Sequence, residues 1–383
     1  MGVVHDPVWP RDDRAAQAGP RLTGSVQADV CVVGLGGSGL AAVDEALRMG
    51  RSVVGIDAGP VAGGAAGRNG GFLLAGTADF HHDAVARLGR ERAAAIYRLT
   101  LRELDGLELA LPDIVRRVGS LRAADSEDEM ADCERMLAAL RADGFDAESY
   151  EGPEGVGVLL PADGAFDPLA RCLHMAQAAR SEGADLFEHT PVSVGSIDVT
   201  TPAGRIDCDA LVIAVDGGLE RVVPDVASRV RTARLQMLAT EPVPPRFARP
   251  VYARWGYDYW QQLPSGAVAL GGCRDLFADD EWSLDPTPTE PVQRALDRLL
   301  AERVGLPEAR VTHRWAGCVG YTDDRMPICE LVRPGVAVAG GYCGTGNVLG
   351  PLCARTALRL ALGLPLDELT PLASTGASAS AGP

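Results

Sequence analysis

Residues 30–57 read VCVVGLGGSGLAAVDEALRMGRSVVGID, in which two apolar runs enclose a glycine-rich turn and an amphipathic segment. A continuous β-branched run such as residues 30–33 is typical of a strand that is buried on both faces. Residues 38–49 have helical apolar spacing and end before Gly50, and residues 53–56 form the second run. The stretch therefore predicts a strand, a crossover helix and a second, parallel strand.

The glycines of this turn follow the spacing G-x-G-x-x-G, and each has its own steric reason. Gly34 allows a tight turn, Gly36 lets the backbone approach a pyrophosphate, and Gly39 lets the helix pack against the strand. The helix N-terminus adds free N–H groups and the positive end of its dipole. Asp57 stands 23 residues after Gly34, where a carboxylate accepts a ribose hydroxyl and repels a 2′-phosphate. The stretch predicts a dinucleotide site; a purely structural glycine turn is the alternative.

The composition limits the classes of function. All 36 basic residues are arginine and the net charge is −16, so we expect no nucleic-acid partner and no lysine-dependent chemistry. No apolar run reaches the ~20 residues that a membrane span needs, and we expect no membrane partner. The nine scattered cysteines and the lack of a secretory apolar segment predict reduced thiols, no metal site and a cytoplasmic location. The adjacent His81 and His82 are expected to be solvated.

The rest of the chain alternates between two kinds of pattern. Residues 59–76 are too rich in glycine for a regular element. Residues 83–143 show helical spacing, with Ser126 and Glu129 in the form of a capping box. Residues 232–275 alternate as antiparallel strands do. A strand, a glycine turn and a helix then recur near the C-terminus, so elements of one α/β sheet lie at both ends of the chain.

Two distant segments carry a resemblance to a known family. They are residues 29–71, with GRNGG at 67–71, and residues 313–350, with RMP at 325–327 and C-G-x-G at 343–346. In the same order and spacing these motifs resemble the D-amino-acid-oxidase-like FAD-dependent oxidoreductases of the glycine and sarcosine oxidase type. Within this family the motifs are most similar to those of gamma-glutamylputrescine oxidase. The resemblance covers residue 29 to about residue 363.

The patterns and the resemblance together predict an α/β and antiparallel β fold. A Rossmann-like FAD-binding domain of the glutathione-reductase type would be interleaved with a substrate domain of mixed or antiparallel sheet and helices. The expected segments are an irregular lead-in at 1–28, the FAD-binding domain at 29–80, 165–225 and 313–370, the substrate domain at 81–164 and 226–312, and a disordered tail at 371–383.

The resemblance also implies which residues hold FAD, noncovalently and in an extended form. The first glycine turn and Asp57 would bind the ADP half, residues 65–71 would lie along the isoalloxazine, and the backbone of Val192 would meet the adenine side. Residues 344–347 would offer N–H groups and a helix N-terminus to flavin N1 and C2=O, which stabilises the anionic reduced flavin. The full implied set is Gly34, Gly36, Gly37, Ser38, Gly39, Asp57, Ala58, Ala65, Ala66, Gly67, Arg68, Asn69, Gly70, Gly71, Val192, Ala214, Gly341, Gly344, Thr345, Gly346 and Asn347.

The chain departs from the family where relatives bind a substrate carboxylate. Their arginine or lysine positions correspond here to Val319, Val348 and about Ala75. A buried carboxylate without a partner is very costly, so we expect an uncharged pocket and an amine whose α-carboxylate is not tightly held. Cys318 lies one residue beyond the position at which some relatives attach FAD covalently. At the end of the central strand, where the family usually has a glycine, this chain has Val215 followed by Asp216.

An aromatic-rich segment, VYARWGYDYW at 251–260, is the candidate substrate contact. On a strand, Trp255, Tyr257 and Tyr259 would share one face. A cationic amine over such a face gains about 0.5–2 kcal/mol. We therefore assign Tyr257 and Tyr259 to the substrate cavity as catalytic-site residues; ordinary sheet packing is the alternative.

The predicted function is FAD-dependent oxidation of an amine C–N bond, with hydride transfer to flavin N5, hydrolysis of the imine, and reduction of O2 to H2O2. Because no lysine is present to promote the reaction with O2, Arg68 or a helix dipole would take that role, or the enzyme would be a dehydrogenase or desaturase of a secondary metabolite. A noncatalytic flavin-binding partner protein is the alternative from another class. The pair Asp216–Gly217 resembles the Asp-Gly motif of flavin hydroxylases. The second motif of those enzymes, Gly-Asp after the C-terminal strand, is missing here, because residues 339–346 read AGGYCGTG. The oligomeric state stays open.

Overall fold

A computed structural model describes residues 2–10, 19–195 and 197–374. The chain divides into two compact units. Unit 1 comprises Met1–Trp9, Arg68–Pro168 and Ala233–Cys318, and unit 2 comprises Pro10–Gly67, Leu169–Thr232 and Val319–Pro383. Each unit is therefore assembled from three separate stretches of sequence.

The strands, in chain order, are β1 Gly24–Val33, β2 Val53–Ile56, β3 Phe72–Leu73, β4 Val115–Arg116, β5 Ser120–Ala123, β6 Glu148–Gly152, β7 Gly155–Leu160, β8 Gly164–Phe166, β9 Asp185–Phe187, β10 Ser193–Val194, β11 Val199–Thr201, β12 Gly204–Ile213, β13 Val230–Pro242, β14 Val251–Ala253, β15 Asp258–Gln262, β16 Ala267–Gly271, β17 Val311–Thr322, β18 Ile328–Arg333 and β19 Val336–Gly340. The α-helices are α1 Gly37–Arg48, α2 His81–Leu88, α3 Arg90–Ala110, α4 Glu127–Ala142, α5 Pro168–Ser181, α6 Leu219–Val222, α7 Glu290–Glu302 and α8 Leu349–Ala361. Short 3₁₀ helices occupy Ala65–Gly67, Pro224–Val226, Arg254–Gly256, Arg274–Phe277 and Asp367–Leu372.

Unit 2 is built on a sheet with the order β10-β11-β12-β1-β2-β9, in which β19 pairs with both β12 and β18. The pairs β1–β2, β1–β12 and β12–β19 are parallel. The central strands are buried on both faces, as the β-branched runs predict, and Cys31, Leu211 and Val338 are fully buried in one core cluster. The predicted βαβ unit is therefore confirmed, with α1 bounded by Gly37 and Arg48.

Unit 1 is built on a mainly antiparallel sheet with the order β17-β13-β16-β15-β14-β5-β7-β6, and a small sheet with the order β3-β8-β4. The β14–β5 pair is parallel, whereas β13–β16, β15–β16, β14–β15, β5–β7 and β6–β7 are antiparallel. Leu121, Trp260 and Leu270 lie in a core cluster that also includes residues of α7, such as Leu296. The prediction of antiparallel strands within 232–275 is confirmed.

Some local predictions are wrong, each for a physical reason. The predicted helical stretch 83–143 contains β4 and β5 between α3 and α4, because residues 115–123 pair with neighbouring strands. Residues 24–28 of the expected irregular lead-in are the first half of β1, paired with β12. The prediction for residues 11–18 lies outside the described residues.

The expected disordered tail is wrong for its first residues. Pro371 and Leu372 lie in the last 3₁₀ helix, and the Leu372 side chain is buried. The amide of Ser374 donates to the Cys329 carbonyl at 2.9 Å. The rest of the predicted tail, residues 375–383, lies outside the described residues.

Two polar predictions near α2 and α4 have different outcomes. His81 is buried rather than solvated, because its Nε2 lies 2.7 Å from Asp143 Oδ2. The Ser126 side chain accepts the Glu129 amide at 3.1 Å, as the capping box predicts. The Glu129 carboxylate, however, accepts the Asp125 amide rather than that of Ser126.

Within the described ranges, no helix is both long enough and apolar enough to cross a bilayer.

Candidate functional site

Three glycines of the turn in unit 2 lie where a side chain would be crowded. A Cβ at Gly39 would lie 1.7 Å from the Gly34 carbonyl oxygen, so no side chain fits there. Gly34 itself has a φ of +102°, and its Cβ would lie 2.5 Å from the Ala214 oxygen. A Cβ at Gly36 would lie 3.1 Å from Ala66 Cβ. The turn therefore passes tightly over the end of β12 and leaves its backbone uncovered by side chains.

Two helix N-termini lie side by side in this unit. A Cβ at Gly350, in the first turn of α8, would lie 2.3 Å from Ser38 Oγ in the first turn of α1. Neither helix has a side-chain cap or an acidic residue in its first turn. Both follow strands of the same parallel sheet, so their amides and positive dipole ends gather at its carboxyl edge. That arrangement fits the phosphates of a dinucleotide such as FAD.

The Asp57 carboxylate follows β2 at the same edge. Its Oδ2 accepts the Leu35 amide at 2.7 Å and its Oδ1 accepts the Gly59 amide at 2.8 Å. Desolvation raises the pKa of Asp57, and the neighbouring Glu188 carboxylate raises it further. Each carboxylate oxygen keeps a second lone pair, so Asp57 can still accept a ribose hydroxyl.

Sequence analysis missed two buried charged residues near this edge. Glu188, directly after β9, accepts the Val61 amide at 2.9 Å and an Arg180 N–H at 2.7 Å. Its place at the carboxyl end of a strand was a usable signal. Arg171 on α5 is buried and donates to the Asn347 carbonyl at 2.7 Å. Nothing in the pattern of α5 marked Arg171, because its partner lies 176 residues away.

The turn between β19 and α8 holds the last group of predicted cofactor residues. Gly341 and Gly344 have positive φ values of 69° and 89°. The Thr345 hydroxyl donates to the Tyr342 carbonyl at 2.7 Å. Val192, the residue predicted to meet the adenine side, is half-buried and packs against the core of unit 2.

Asp216 lies three residues after β12 ends at Ile213, in the segment where the resemblance implies a glycine. Its Oδ1 accepts the Tyr342 amide at 3.0 Å. Desolvation raises the pKa of Asp216 to about 6, although the backbone amides of Tyr342, Gly320 and Gly341 act in the opposite direction. The side chain therefore takes up space next to the turn that precedes α8.

In unit 1, residues 68–71 are fixed by side-chain donors. The indole of Trp315 donates to the Arg68 carbonyl at 2.7 Å, and the indole of Trp9 donates to the Asn69 carbonyl at 3.0 Å. The Gln261 amide donates to the carbonyls of both Gly70 and Gly71. Four consecutive carbonyls thus accept from unit 1 side chains, which sets the orientation of the peptide planes in this segment.

One side of the large sheet in unit 1 carries an aromatic face, formed by Arg122, Tyr252, Tyr259 and Gln261 together with Phe72. The rings of Tyr252 and Tyr259 are stacked with centroids 5.7 Å apart. Phe72 contacts them edge-on at 5.0 and 5.7 Å. The Arg122 guanidinium lies 4.7 Å from the centre of the Tyr252 ring. The ring face of Tyr252 that Arg122 covers is closed to an amine.

The structure separates the aromatic residues that the sequence placed on one strand face. Trp255 lies in the 3₁₀ helix Arg254–Gly256 with a φ of 53°, and its exposed indole donates to Asp132 at 2.8 Å. Tyr257 ends that helix, and β15 begins only at Asp258. The prediction of a shared face is therefore wrong, and Tyr259 alone of the three lies on the aromatic face. The aromatic face also carries one charged side chain, Arg122.

Val319, Val348 and Ala75, which the resemblance aligns with the carboxylate-binding positions of relatives, are not exposed in the structure. Val348 and Ala75 are buried, and Val319 is half-buried. The Ala75 amide donates to Asp163 Oδ1 at 2.8 Å, and Ser120 donates to Oδ2 at 2.6 Å. Desolvation raises the pKa of Asp163 to about 6.

Comparison with known proteins agrees with this geometry. The family described as DAO, FAD dependent oxidoreductase, matches residues 29–360. The chain is 27% identical over 371 residues to the probable oxidoreductase OrdL of Rhizobium meliloti, covering 90% of this chain and 85% of that protein. It is 24% identical over 375 residues to the gamma-glutamylputrescine oxidoreductase of Escherichia coli, covering 89% and 85%.

Among solved structures, glycine oxidase from Geobacillus kaustophilus matches with a TM-score of 0.74 at 22% identity, covering 91% of this chain and 99% of that one. L-proline dehydrogenase from P. horikoshii matches with a TM-score of 0.73 at 18% identity, covering 90% and 95%. These likenesses concern the fold. The family and the fold class predicted from the sequence are confirmed.

Proposed function

This chain belongs to the DAO family of FAD-dependent oxidoreductases, and we propose that it oxidises the C–N bond of a small amine and passes the electrons to O2. The chemistry that FAD supplies is two-electron oxidation, in which a hydride leaves the carbon next to nitrogen and the resulting imine is hydrolysed. The products are a carbonyl compound, the released amine or ammonia, and hydrogen peroxide. The proposal includes noncovalent FAD and a cytoplasmic location, which the scattered cysteines without a disulfide spacing favour.

The cofactor residues in this proposal are those predicted from the sequence. The first-turn amides of α1 and α8 would hold the pyrophosphate, and Asp57 would accept a ribose hydroxyl. Arg171 and Glu188 join the set as positioning residues, because each fixes backbone next to a predicted cofactor contact.

The proposed position of the substrate rests on the fixed segment 68–71, which the family resemblance places along the isoalloxazine. Gln261 holds that segment and lies two residues from Tyr259 on the same side of β15. A substrate that contacts Tyr259 would therefore be placed against a backbone that cannot shift. Such positioning contributes to catalysis by holding the reacting carbon in one orientation.

A dehydrogenase that passes electrons to another acceptor is the second candidate. It is favoured by the complete absence of lysine, since no ammonium group can assist the reaction with O2. Arg68, the proposed substitute, donates to the Ala316 carbonyl at 3.2 Å.

The test is anaerobic reduction of the flavin in purified holoenzyme. The panel contains diamines, N-acyl diamines, N-methylamines, ω-amino carboxylates, glycine and D-amino acids. We expect substrate-driven bleaching of the flavin absorption by longer amines and none by glycine. No bleaching with any amine would refute the proposal. Admission of air then separates the candidates, because an oxidase recovers its colour with peroxide release and a dehydrogenase does so only with an added acceptor.

A further inference from the structure

Arg116 is the last residue of β4, at the edge of the small sheet of unit 1, where it pairs with Ala165 of β8. Its side chain is half-buried, and desolvation lowers its pKa. The guanidinium donates to Gln261 Oε1 at 3.2 Å. Among the described residues, no carboxylate lies within ion-pair distance of Arg116.

Neighbouring arginines of the same unit are compensated in a way that Arg116 is not. Arg117 lies 3.0 Å from Asp105 and 3.5 Å from Glu108, and Arg249 lies 3.0 Å from Glu154. Arg122 faces the Tyr252 ring, and its charge acts on Asp163. A partly buried cation without an anion is unfavourable. Part of the Arg116 guanidinium is removed from water, so an anion from outside the chain would gain from pairing with it.

Gln261 holds Arg116 in a fixed orientation. Because the Gln261 Nε2 donates to the carbonyls of Gly70 and Gly71, its Oε1 must point the other way, toward Arg116. One N–H of the guanidinium is used in this bond, and the planar fork keeps further N–H groups for a carboxylate. The side chain that holds the 68–71 segment thus also positions the cation.

We propose that Arg116 binds the carboxylate of the amine substrate, with Gln261 as its positioning residue. This inference rests on the proposed function and narrows its substrate class to amines that carry a carboxylate. Val319, Val348 and Ala75 have no charge at the positions that relatives use. In this proposal the substrate carboxylate is therefore bound from β4, by Arg116. The carbon chain of the substrate lies along the aromatic face, which Gln261 joins to Arg116.

The experiment measures ligand binding to holoenzyme under argon, from the perturbation of the flavin spectrum and from calorimetry. The probes are 5-aminopentanoate, pentylamine, which lacks the carboxylate, and glycine. The variants are Arg116→Gln, Arg116→Lys and the matched control Arg117→Gln, whose arginine pairs with Asp105. Thermal melts of each variant establish that it is folded.

We expect 5-aminopentanoate to bind more tightly than pentylamine, and Arg116→Gln to weaken only the former, by roughly 10- to 100-fold. Arg116→Lys should restore part of the loss, and Arg117→Gln should match the wild type. Equal binding of 5-aminopentanoate by wild type and Arg116→Gln would overturn the inference, as would equal affinity for both probes in the wild type. Carboxylate-dependent binding through Arg116 without any flavin reduction would instead support the inference while refuting amine oxidation.

Discussion

The carboxylate of Asp216 accepts the backbone amide of Tyr342 at 3.0 Å, and this bond joins the end of β12 to the segment that follows β19. The two strands are parallel neighbours, with Ile213 opposite Val338. The amides of Gly320 and Gly341 also bond to the carboxylate. The Asp216 side chain therefore ties together three backbone segments beside the turn that leads into α8.

Replacing Asp216 should change how stability depends on pH. Its folded pKa of about 6 lies above the ordinary 3.8, so the folded state holds the proton more tightly than the unfolded state. The free energy of unfolding therefore falls as pH rises from about 4 to 6 and is level above that. In Asp216→Asn this loss should be absent, and the variant should gain up to about 3 kcal/mol relative to wild type between these limits. Urea unfolding at pH 4 and pH 8 measures the difference. An identical pH dependence in both proteins would contradict the assignment.

Gly39→Ala should abolish both the fold of unit 2 and FAD binding. The new Cβ would lie 1.7 Å from the Gly34 carbonyl oxygen, which is backbone and cannot move aside. The matched control is Gly64→Ala, because a Cβ at Gly64 meets nothing within 4 Å. The flavin content of each purified variant is the measurement. A yellow, folded Gly39→Ala protein would show that the turn is looser than the structure indicates.

Glu281→Gln should destabilise unit 1 strongly. Glu281 and Arg234 are both buried and form two hydrogen bonds of 3.0 and 2.8 Å. Removing the negative charge leaves a buried guanidinium uncompensated, which costs about 3 kcal/mol or more. Glu290→Gln is the control, since its pair with Arg294 is exposed and contributes about 0–1 kcal/mol. Denaturant midpoints of the two variants should differ accordingly; equal midpoints would count against the buried pair.

Tyr259→Ala should impair amine oxidation while leaving FAD bound. The Tyr259 ring lies over Gly271, where a Cβ would come within 2.4 Å of it, and it stacks on Tyr252. Tyr259→Phe keeps this packing, so its kcat/KM should stay near that of wild type. The alanine variant should lose roughly tenfold or more through weaker positioning. Trp255→Phe, at an exposed indole, serves as the control for a nearby aromatic change.

Sequence patterns predicted those turns and strands whose conformation is determined by residues close to them in the chain. The glycine spacing at 34–39 and the runs at 30–33 and 53–56 correspond to the observed turn and strands. The strand expected through Trp255 and Tyr257 failed because alternation of aromatics cannot reveal a residue with a φ of 53°. His81 is buried because Asp143, 62 residues away, supplies its partner. Such distant pairing leaves no periodic signal.

In the candidate site, too, the local motifs were predictable and the distant contacts were not. The glycine turn and Asp57 belong to one continuous motif and were visible in the sequence. Arg116 and Gln261 are 145 residues apart. Nothing in the sequence around either residue indicates that the two side chains are in contact. The contact depends on a small three-stranded sheet whose strands are only two or three residues long. Strands of that length are too short for alternation to be recognised.

The parallel pairing of β1 with β12 joins Gly24 to Gly204, 180 residues later, and β12 then needs β19 near the end of the chain. During synthesis, β1 and β2 leave the ribosome long before these partners exist. The edge of β1 must stay unpaired, and available to other chains, until residues 204–213 have been translated, and the far edge of β12 until residues 336–340 have been. Slow assembly of this kind favours aggregation at high expression rates. Recombinant yield should therefore improve when expression is weaker, so that fewer incomplete chains meet, or when the chain is held by a chaperone until its last strand emerges.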